Sequence, residues 1–297
     1  MLGEIHPATR IGYVHLTVAD LERQIEFYER LVGFQKHWRE GDQAGLGVGG
    51  ADLLRLTEDQ TALRMPGTTG LYHFAVLFPE RRELARAIAR LSQLGYLNYP
   101  TDHLLTETTY FDDPEGNGIE LYFDTPERGI WSFEGGSFGA VDADGNPHSG
   151  REPLDVENLL RELGPDDRLD QPAPEETSIG HVHLHVADIE QANRFYHDLL
   201  GFDIQGVSRS VGLSFVSAGG YHHHIGLNIW LGQGAPVPPE GSLGLRYFEV
   251  RLPNEQELQR MTERLSQAGA PFESVAEGIL VPDPSRNGVM LSASGTH

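Results

Sequence analysis

The chain contains no cysteine in its 297 residues. This absence excludes disulfides, zinc sites built on thiolates and cysteine nucleophiles, so any bound metal must rest on histidine, aspartate or glutamate. Long apolar runs are also absent, since none approaches the ~18 residues of a membrane span. The first residues, MLGEIHPATR, lack the charged-then-apolar pattern of a signal peptide. We therefore expect a cytoplasmic protein.

Positive charge is scarce in this sequence. Lys plus Arg total 22 against 44 Asp plus Glu, which gives a formal net charge of −22. A surface this acidic argues against nucleic-acid and anionic-membrane partners, because both require basic patches. The length suffices for two domains, each with a core of its own. The oligomeric state stays open, with a homo-oligomer among the options.

Three segments of the first half recur, in the same order, in the second half. Chance does not produce three ordered matches, so the chain is a duplicated domain. The matching pairs are 11–34 with 179–202 (14 of 24 positions identical), 70–95 with 244–269 (13 of 26), and DDPEGNGIEL at 112–121 with PDPSRNGVML at 282–291.

Each half also contains one pattern twice. An alternating strand is followed by an amphipathic helix and then by three further strand-like runs. We number these β-α-β-β-β units one to four in chain order, and they predict an α+β fold. Residues 126–176 are rich in Pro, Gly and acidic residues, with one short helical pattern, LDVENLLREL, and predict a linker. The expected domains are therefore 8–125 and 177–297.

Two motifs carry a resemblance to a known family. HVHLHVADIEQANRFYHDLLGF and YFDDPEGNGIELY resemble the vicinal oxygen chelate superfamily, which includes glyoxalase I, bleomycin-resistance proteins and extradiol dioxygenases. The resemblance covers the chain except the linker, and in length and motif order it is closest to bacterial catechol 2,3-dioxygenases. It implies units that pair into cup-shaped mixed sheets around a metal, with one ligand from the first strand of one unit and two from its partner.

The resemblance also assigns the ligand positions. A complete set falls on units three and two, whereas units one and four carry residues that cannot hold a hard divalent metal. This division implies that the active cup crosses the two domains, with two ligands from the N-terminal domain and the first from the C-terminal domain. Fe(II) is the implied metal, with Mn(II) as the alternative. The complete set is His181, His73 and Glu120, and the defective set is Tyr13, Tyr247 and Met290.

Reaction classes within the family differ in the residues they carry on the strand that corresponds to HHHIGLNIW at 222–230. Glyoxalase-type isomerases carry a fourth, carboxylate ligand on this strand, and here it has no Asp or Glu. Extradiol dioxygenases carry a catalytic histidine there, which implies His223 as an acid–base group titrating near neutral pH. The same family pattern implies Tyr110 and His103 as residues that hydrogen-bond at the substrate diol.

Strand geometry and the repeat also bear on the other histidines. Strand alternation places His223 on one face and His222 with His224 on the other. His15 is interpreted as lining of its cup, whereas the role of its repeat, His183, stays open.

The resemblance therefore implies Fe(II)-dependent extradiol cleavage of a catechol-type aromatic, with the aromatic diol and O2 as partners. Two alternatives stay open. One is a glyoxalase-like isomerase or thiol transferase on Zn, Ni or Mn, and the other is a metal-free binding module of the bleomycin-resistance type. The fold alone does not choose, because it hosts many chemistries, but a metal-free binder has no use for a complete ligand set.

Overall fold

The computed structural model describes residues 3–294. In unit one the Asp20 side chain accepts a hydrogen bond from the Arg23 N–H and so caps the first helix. That helix continues as one π-helical turn and ends at Gly33, whose φ of 89° suits glycine. The elements of unit one are β1 (Arg10–Val18), α1 (Leu21–Phe27) with its π-helical turn (Tyr28–Val32), β2 (Gln35–Glu40), β3 (Gln43–Val48) and β4 (Ala51–Glu58).

Unit two repeats this order with a longer helix. That helix buries Leu84, Ile88 and Leu91 on one face, the spacing of an amphipathic helix that packs on a sheet. The elements of unit two are β5 (Gly70–Leu77), α2 (Arg81–Gln93), β6 (Tyr99–Asp102), β7 (Thr106–Asp112) and β8 (Gly118–Asp124).

The segment expected to link the domains contains more structure than its composition predicts. Its short helix forms as expected, but three short strands also pair into a small antiparallel sheet, with Gly139–Asp142 between Pro147–His148 and Gly129–Ser132. Strands of two to four residues between glycine turns leave no periodic signal in the sequence. The elements are β9 (Gly129–Ser132), β10 (Gly139–Asp142), β11 (Pro147–His148), β12 (Glu152–Pro153) and α3 (Val156–Leu160).

Units three and four repeat the first two. Asp188 caps the helix of unit three through the Gln191 N–H, and Gly201 has a φ of 90° where the helix ends. The elements are β13 (Ser178–His185), α4 (Ile189–Asn193) with its π-helical turn (Arg194–Leu199), β14 (Asp203–Ser208), β15 (Leu213–Ser217), β16 (Ile225–Asn228), β17 (Gly244–Leu252), α5 (Glu255–Gln267), β18 (Glu273–Val275), β19 (Gly278–Pro282) and β20 (Gly288–Ala293).

The strands pair across the duplication. One sheet has the order β18-β19-β20-β17-β1-β4-β3-β2 and joins unit four to unit one. The other has the order β12-β6-β7-β8-β5-β13-β16-β15-β14 and joins unit two to unit three. We call them the one–four cup and the two–three cup. The expected α+β fold with mixed sheets is confirmed, and so is the pairing of unit two with unit three.

The helices, unlike the sheets, connect units that are consecutive in the chain: unit one with unit two, and unit three with unit four. The Tyr28 hydroxyl of unit one donates to Asp113 of unit two at 2.9 Å, and the Tyr196 hydroxyl of unit three donates to Asp283 of unit four at 3.1 Å. All four side chains are buried. The repeated FY and DP motifs therefore hold consecutive units together through the helix layer, while the sheets join the two halves.

One apolar core runs through both halves, because its buried side chains come from all four units. The longest helices, α2 and α5, have 13 residues each. Within residues 3–294 no helix combines the length and the apolar character that crossing a membrane requires.

Candidate metal centre and active site

The seam between units two and three aligns the expected ligands. β13 runs antiparallel to β5 with His181 opposite Ala75, and β8 runs parallel to β5 with Glu120 opposite the same Ala75. His73 precedes Ala75 by two residues, so its side chain points to the same face. Three neighbouring strands thus present His181, His73 and Glu120 to one side of the sheet.

The three side chains converge to hydrogen-bond distances. Glu120 Oε2 lies 3.0 Å from His73 Nε2 and 3.1 Å from His181 Nε2, and the two nitrogens are 3.3 Å apart. All three residues are at least 95% buried. Burial opposes ionisation of Glu120, but His181 and His73 outweigh it and hold the pKa of Glu120 well below its ordinary value. Burial lowers the pKa of His181, against the pull of Glu120.

This arrangement fits a divalent metal ion. Ligand atoms that lie about 2.1 Å from one ion, at about right angles, are roughly 3 Å from each other, which is the spacing found here. A neutral His181 imidazole has a lone pair free for a metal, and an ionised Glu120 supplies negative charge. Within residues 3–294 no Arg or Lys forms an ion pair with Glu120, so a bound cation would compensate a buried carboxylate that the protein leaves without one.

The one–four cup has different chemistry at the matching positions. The Tyr13 hydroxyl donates to Glu277 at 2.7 Å, and Arg55 forms an ion pair with Glu277 at 2.7 Å. The Arg55 guanidinium also lies 4.0 Å from the centre of the Tyr13 ring. Among the described residues, the groups that could hold a metal all belong to the two–three cup. Tyr13, at the position that matches His181, is therefore bound to an Arg–Glu ion pair and is not available as a metal ligand.

Tyr110 and His103 lie together beside the ligands. Tyr110 is directly opposite Glu120 in the pairing of β7 with β8, and its hydroxyl is 2.9 Å from His103 Nε2. His103 Nδ1 is 2.6 Å from the Gly150 carbonyl oxygen. Because a carbonyl only accepts, Nδ1 carries the proton and Nε2 accepts from the Tyr110 hydroxyl. Burial lowers the pKa of His103 and raises that of Tyr110, so both are neutral.

The three adjacent histidines do not alternate as the sequence predicts. β16 begins at Ile225, so His222, His223 and His224 precede the pleated strand and the alternation rule does not apply to them. His222 therefore joins His223 near the ligands: one ring nitrogen of each and one of His181 lie within 4.8 Å of one another. His224 turns away, and its Nδ1 accepts a hydrogen bond from the Ala218 N–H at 3.1 Å. The prediction that His222 and His224 share a face is wrong.

His223 lies deep in the cup. Its ring centre is 4.1 Å from that of His181 and 4.3 Å from that of Phe215, on which it stacks. Burial, followed by the neighbouring His181, lowers the pKa of His223 well below its ordinary value. For this residue the family resemblance implies an unperturbed imidazole that titrates near neutral pH. The buried ring is instead neutral at pH 7, with one ring nitrogen as a donor and the other as an acceptor.

His183, whose role the sequence leaves open, lies in the lining of the two–three cup. Its ring centre is 5.1 Å from that of His73 and 5.3 Å from those of Tyr72 and Trp230. Burial lowers the pKa of His183 well below its ordinary value, so it adds no positive charge beside the ligands.

A polar network next to His181 was not predicted from the sequence, although one glycine is related to it. The Tyr122 and Tyr221 hydroxyls are 2.6 Å apart, and Tyr221 donates to Asp124 at 3.0 Å. A Cβ atom on Gly180 would lie 1.7 Å from the Tyr122 hydroxyl oxygen. The glycine of the opening IG motif therefore leaves room for Tyr122 to cross β13.

Asp124 provides a pH-dependent test of this network. Burial raises its pKa from 3.8 to about 6, so the folded chain favours the neutral acid and its stability falls as pH rises from about 4 to above 6. Asp124→Asn removes this penalty and keeps an acceptor for Tyr221. The variant is expected to be more stable than the metal-free wild type by about 1–3 kcal/mol at pH 8, and by much less at pH 4. Urea unfolding at both pH values measures this, and a pH-independent difference would contradict it.

With this geometry in place, comparison with known proteins identifies the family. A sequence profile described as the Glyoxalase/Bleomycin resistance protein/Dioxygenase superfamily matches residues 10–121 and 178–277. The chain belongs to this superfamily. The family expected from the sequence motifs is confirmed.

One superfamily relative is similar along almost its whole length. A protein of Bacillus subtilis (strain 168) named catechol-2,3-dioxygenase is 44% identical over 286 residues, which cover 95% of this chain and 96% of the relative. Among solved structures, a putative dioxygenase from Bacillus subtilis has a TM-score of 0.64 at 11% identity, with 98% of this chain and 86% of that chain covered. Glyoxalase I from Zea mays has a TM-score of 0.58 at 16% identity, with 96% and 92% covered. At these identities the structural likeness shows the superfamily fold alone.

Proposed function

We propose that this chain is a metal-dependent extradiol ring-cleaving dioxygenase, which opens a catechol-type aromatic with O2. The observation that carries the proposal is the convergence of three metal-ligand side chains at one buried point, with a hydrogen-bonded Tyr–His pair on one side and a buried neutral histidine on the other. The relative that is 44% identical is named catechol-2,3-dioxygenase, which supports the same substrate class.

In this proposal His73, His181 and Glu120 hold the metal. Two imidazoles and one carboxylate on one face of an octahedral ion leave three adjacent positions open, as in non-haem Fe(II) oxygenases. Bound Fe(II), with Mn(II) as the alternative, would supply a chelation site for the diol and a site for O2. The ligand set that could hold a metal contains no further carboxylate within the described residues, which disfavours a glyoxalase-type isomerase.

Tyr110 and His103 position the diol. The Gly150 carbonyl fixes the tautomer of His103, so its Nε2 faces the Tyr110 hydroxyl as an acceptor. Burial keeps Tyr110 protonated, and its one hydroxyl proton is donated to His103 Nε2. The Tyr110 oxygen therefore accepts a hydrogen bond from a substrate hydroxyl next to Glu120. The pair adds hydrogen bonds without adding charge.

His223 handles the proton. Its neutral ring accepts a proton from a substrate hydroxyl and returns it during ring opening, which is general base and then general acid catalysis. Phe215 stacks on one face of the ring and excludes water from it, so the proton stays within the site.

Oxygen uptake tests the proposed function directly. The protein is loaded with Fe(II) under nitrogen and mixed with catechol in air-saturated buffer, while an oxygen electrode and an absorbance trace record O2 consumption and the yellow ring-opened product. We expect one O2 consumed per catechol, with no uptake by the metal-free protein. No uptake with catechol or substituted catechols by protein loaded with iron or manganese would contradict the proposal.

The domain bounds, the partners and the location expected from the sequence are part of the same proposal. The ligands come from both sides of a linker at 126–176, between domains at 8–125 and 177–297. The partners are a small aromatic diol and O2, with no nucleic acid and no membrane. The location is proposed to be cytoplasmic.

A further inference from the structure

The small sheet of the linker lies against the two–three cup. Trp131 on β9 has its ring centre 5.3 Å from that of His222 and 5.7 Å from that of His223. It also stacks on Phe215 at 5.3 Å, with an angle of 29° between the rings. Phe215 in turn stacks on His223. A residue outside the four repeated units thus contacts the aromatic cluster that surrounds the candidate proton-handling group.

A hydrogen bond to unit two fixes the orientation of the Trp131 indole. Its indole Nε1 donates to the His103 carbonyl oxygen at 2.9 Å. One side chain therefore contacts His103 of unit two and His223 of unit three. Trp131 is half-buried, whereas His223 is 5% exposed and Phe215 is 7% exposed. The indole stands between solvent and the buried rings, at the rim of the cup.

A second linker residue, Gly150, also contacts His103. Its carbonyl oxygen accepts from His103 Nδ1, as described above. Its φ is +73°, and a Cβ atom would lie 2.5 Å from the ring of Phe138, so glycine is required there. Phe138 packs edge-to-face on Trp131, with ring centres 5.7 Å apart. The two contacts that the linker makes with His103 are therefore coupled through Phe138.

We propose that Trp131 is a specificity-determining residue, which limits the size of the ring substituent that the catechol site accepts. The inference rests on the proposed function. The indole is rigid and stands at the rim, so a substituent that extends from the diol ring past His223 meets it. Removing the indole opens space bounded by Phe215, His222 and Phe138. The linker is then part of the active site as well as a connection between the domains.

The test compares substrates rather than absolute activity. Full-length Fe(II)-loaded wild type, Trp131→Ala and Trp131→Phe are assayed with catechol, 3-phenylcatechol and 4-phenylcatechol. For Trp131→Ala we expect the ratio of kcat/KM for at least one phenylcatechol to that for catechol to rise about tenfold or more, the effect of a few methylene-sized groups in an apolar pocket. Trp131→Phe is expected to give a smaller rise.

Trp38→Ala is the matched control. Trp38 lies on β2 of the one–four cup, where its Nε1 donates to Asp52, so its loss should leave the substrate ratio within about twofold of the wild type. An unchanged ratio in Trp131→Ala that still cleaves catechol, or an equal rise in Trp38→Ala, would overturn the proposal. If Trp131→Ala does not fold, Trp131→Leu and Trp131→Phe are judged by the same ratio.

Binding under nitrogen separates this inference from the proposed function. Dissociation constants of the three catechols are measured by quenching of tryptophan fluorescence with the metal-loaded protein, and in Trp131→Ala the ratio is again expected to shift about tenfold toward the phenylcatechols. A shift without oxygen uptake would refute the dioxygenase reaction and support the role of Trp131 in ligand choice. Uptake without any shift, in turnover or in binding, would refute the role of Trp131 alone.

Discussion

Replacement of Glu120 by glutamine is expected to remove bound metal and reduce catechol-dependent oxygen uptake to background. Among residues 3–294, Glu120 is the one carboxylate that lies within hydrogen-bond distance of both His73 and His181, and glutamine keeps its shape while removing its charge. Loss of a residue that only supports a ligand costs about 10–100-fold in metal affinity, so loss of the ligand itself should exceed about 100-fold. Metal content after anaerobic loading and gel filtration measures the effect.

The matched control is Met290→Leu in the one–four cup. Met290 is the counterpart of Glu120 in unit four and is equally buried, and an isosteric apolar substitution there costs less than about 1.5 kcal/mol of stability. Metal content and turnover are expected to match those of the wild type. A Glu120→Gln protein that retains stoichiometric metal would contradict the ligand assignment, and so would loss of metal in Met290→Leu.

Replacement of His223 by alanine is expected to lower kcat about 10²–10⁴-fold, the usual contribution of a positioned acid–base group. Metal content should stay at the wild-type level, because His223 is outside the set formed by His73, Glu120 and His181. Within residues 3–294 the hydrogen-bond partners of His73, Glu120 and His181 do not include His223. Steady-state oxygen uptake gives kcat and KM, and iron content is measured on the same samples.

Its two neighbours in the chain provide the controls. His224→Ala removes the acceptor for the Ala218 N–H and should cost about 1 kcal/mol of stability while turnover is kept. His222→Ala tests the residue that the structure brings to the same cluster. If His222→Ala reduces kcat far more than His223→Ala does, the proton-handling role belongs to His222. Full turnover in His223→Ala, together with its loss in His73→Ala, would refute the assignment to His223.

Much of the fold could be predicted because the chain carries its pattern four times. Four copies of one strand–helix pattern identify the elements. The ligand positions that the family resemblance implies, compared over the four copies, indicate which units share a cup. His181 lies in β13 and His73 in β5, and these two strands pair where units two and three share a cup. These signals are local in sequence or repeat within it, which is why they can be read without coordinates.

Three features of the site could not be predicted, each for a physical reason. The place of His222 depends on the first residue of β16, and strand ends are set by tertiary hydrogen bonds rather than by periodicity. The lowered pKa of His223 comes from burial, which is a property of the whole cup. Trp131 and Gly150 lie in a glycine-rich segment whose strands are too short to leave a pattern, so their contacts with His103 appear only in three dimensions.

The crossed sheets also have a consequence for the order of assembly. Until β13 is present, β5 lacks its partner along one edge, and an unpaired hydrophobic edge is prone to associate with other chains. A nascent chain that ends before β13 can therefore pack α1 on unit two through Tyr28 and Asp113 but has an incomplete ligand set. Metal capture must wait for the second half of the chain, and a fragment ending within the linker should aggregate rather than act as a small enzyme.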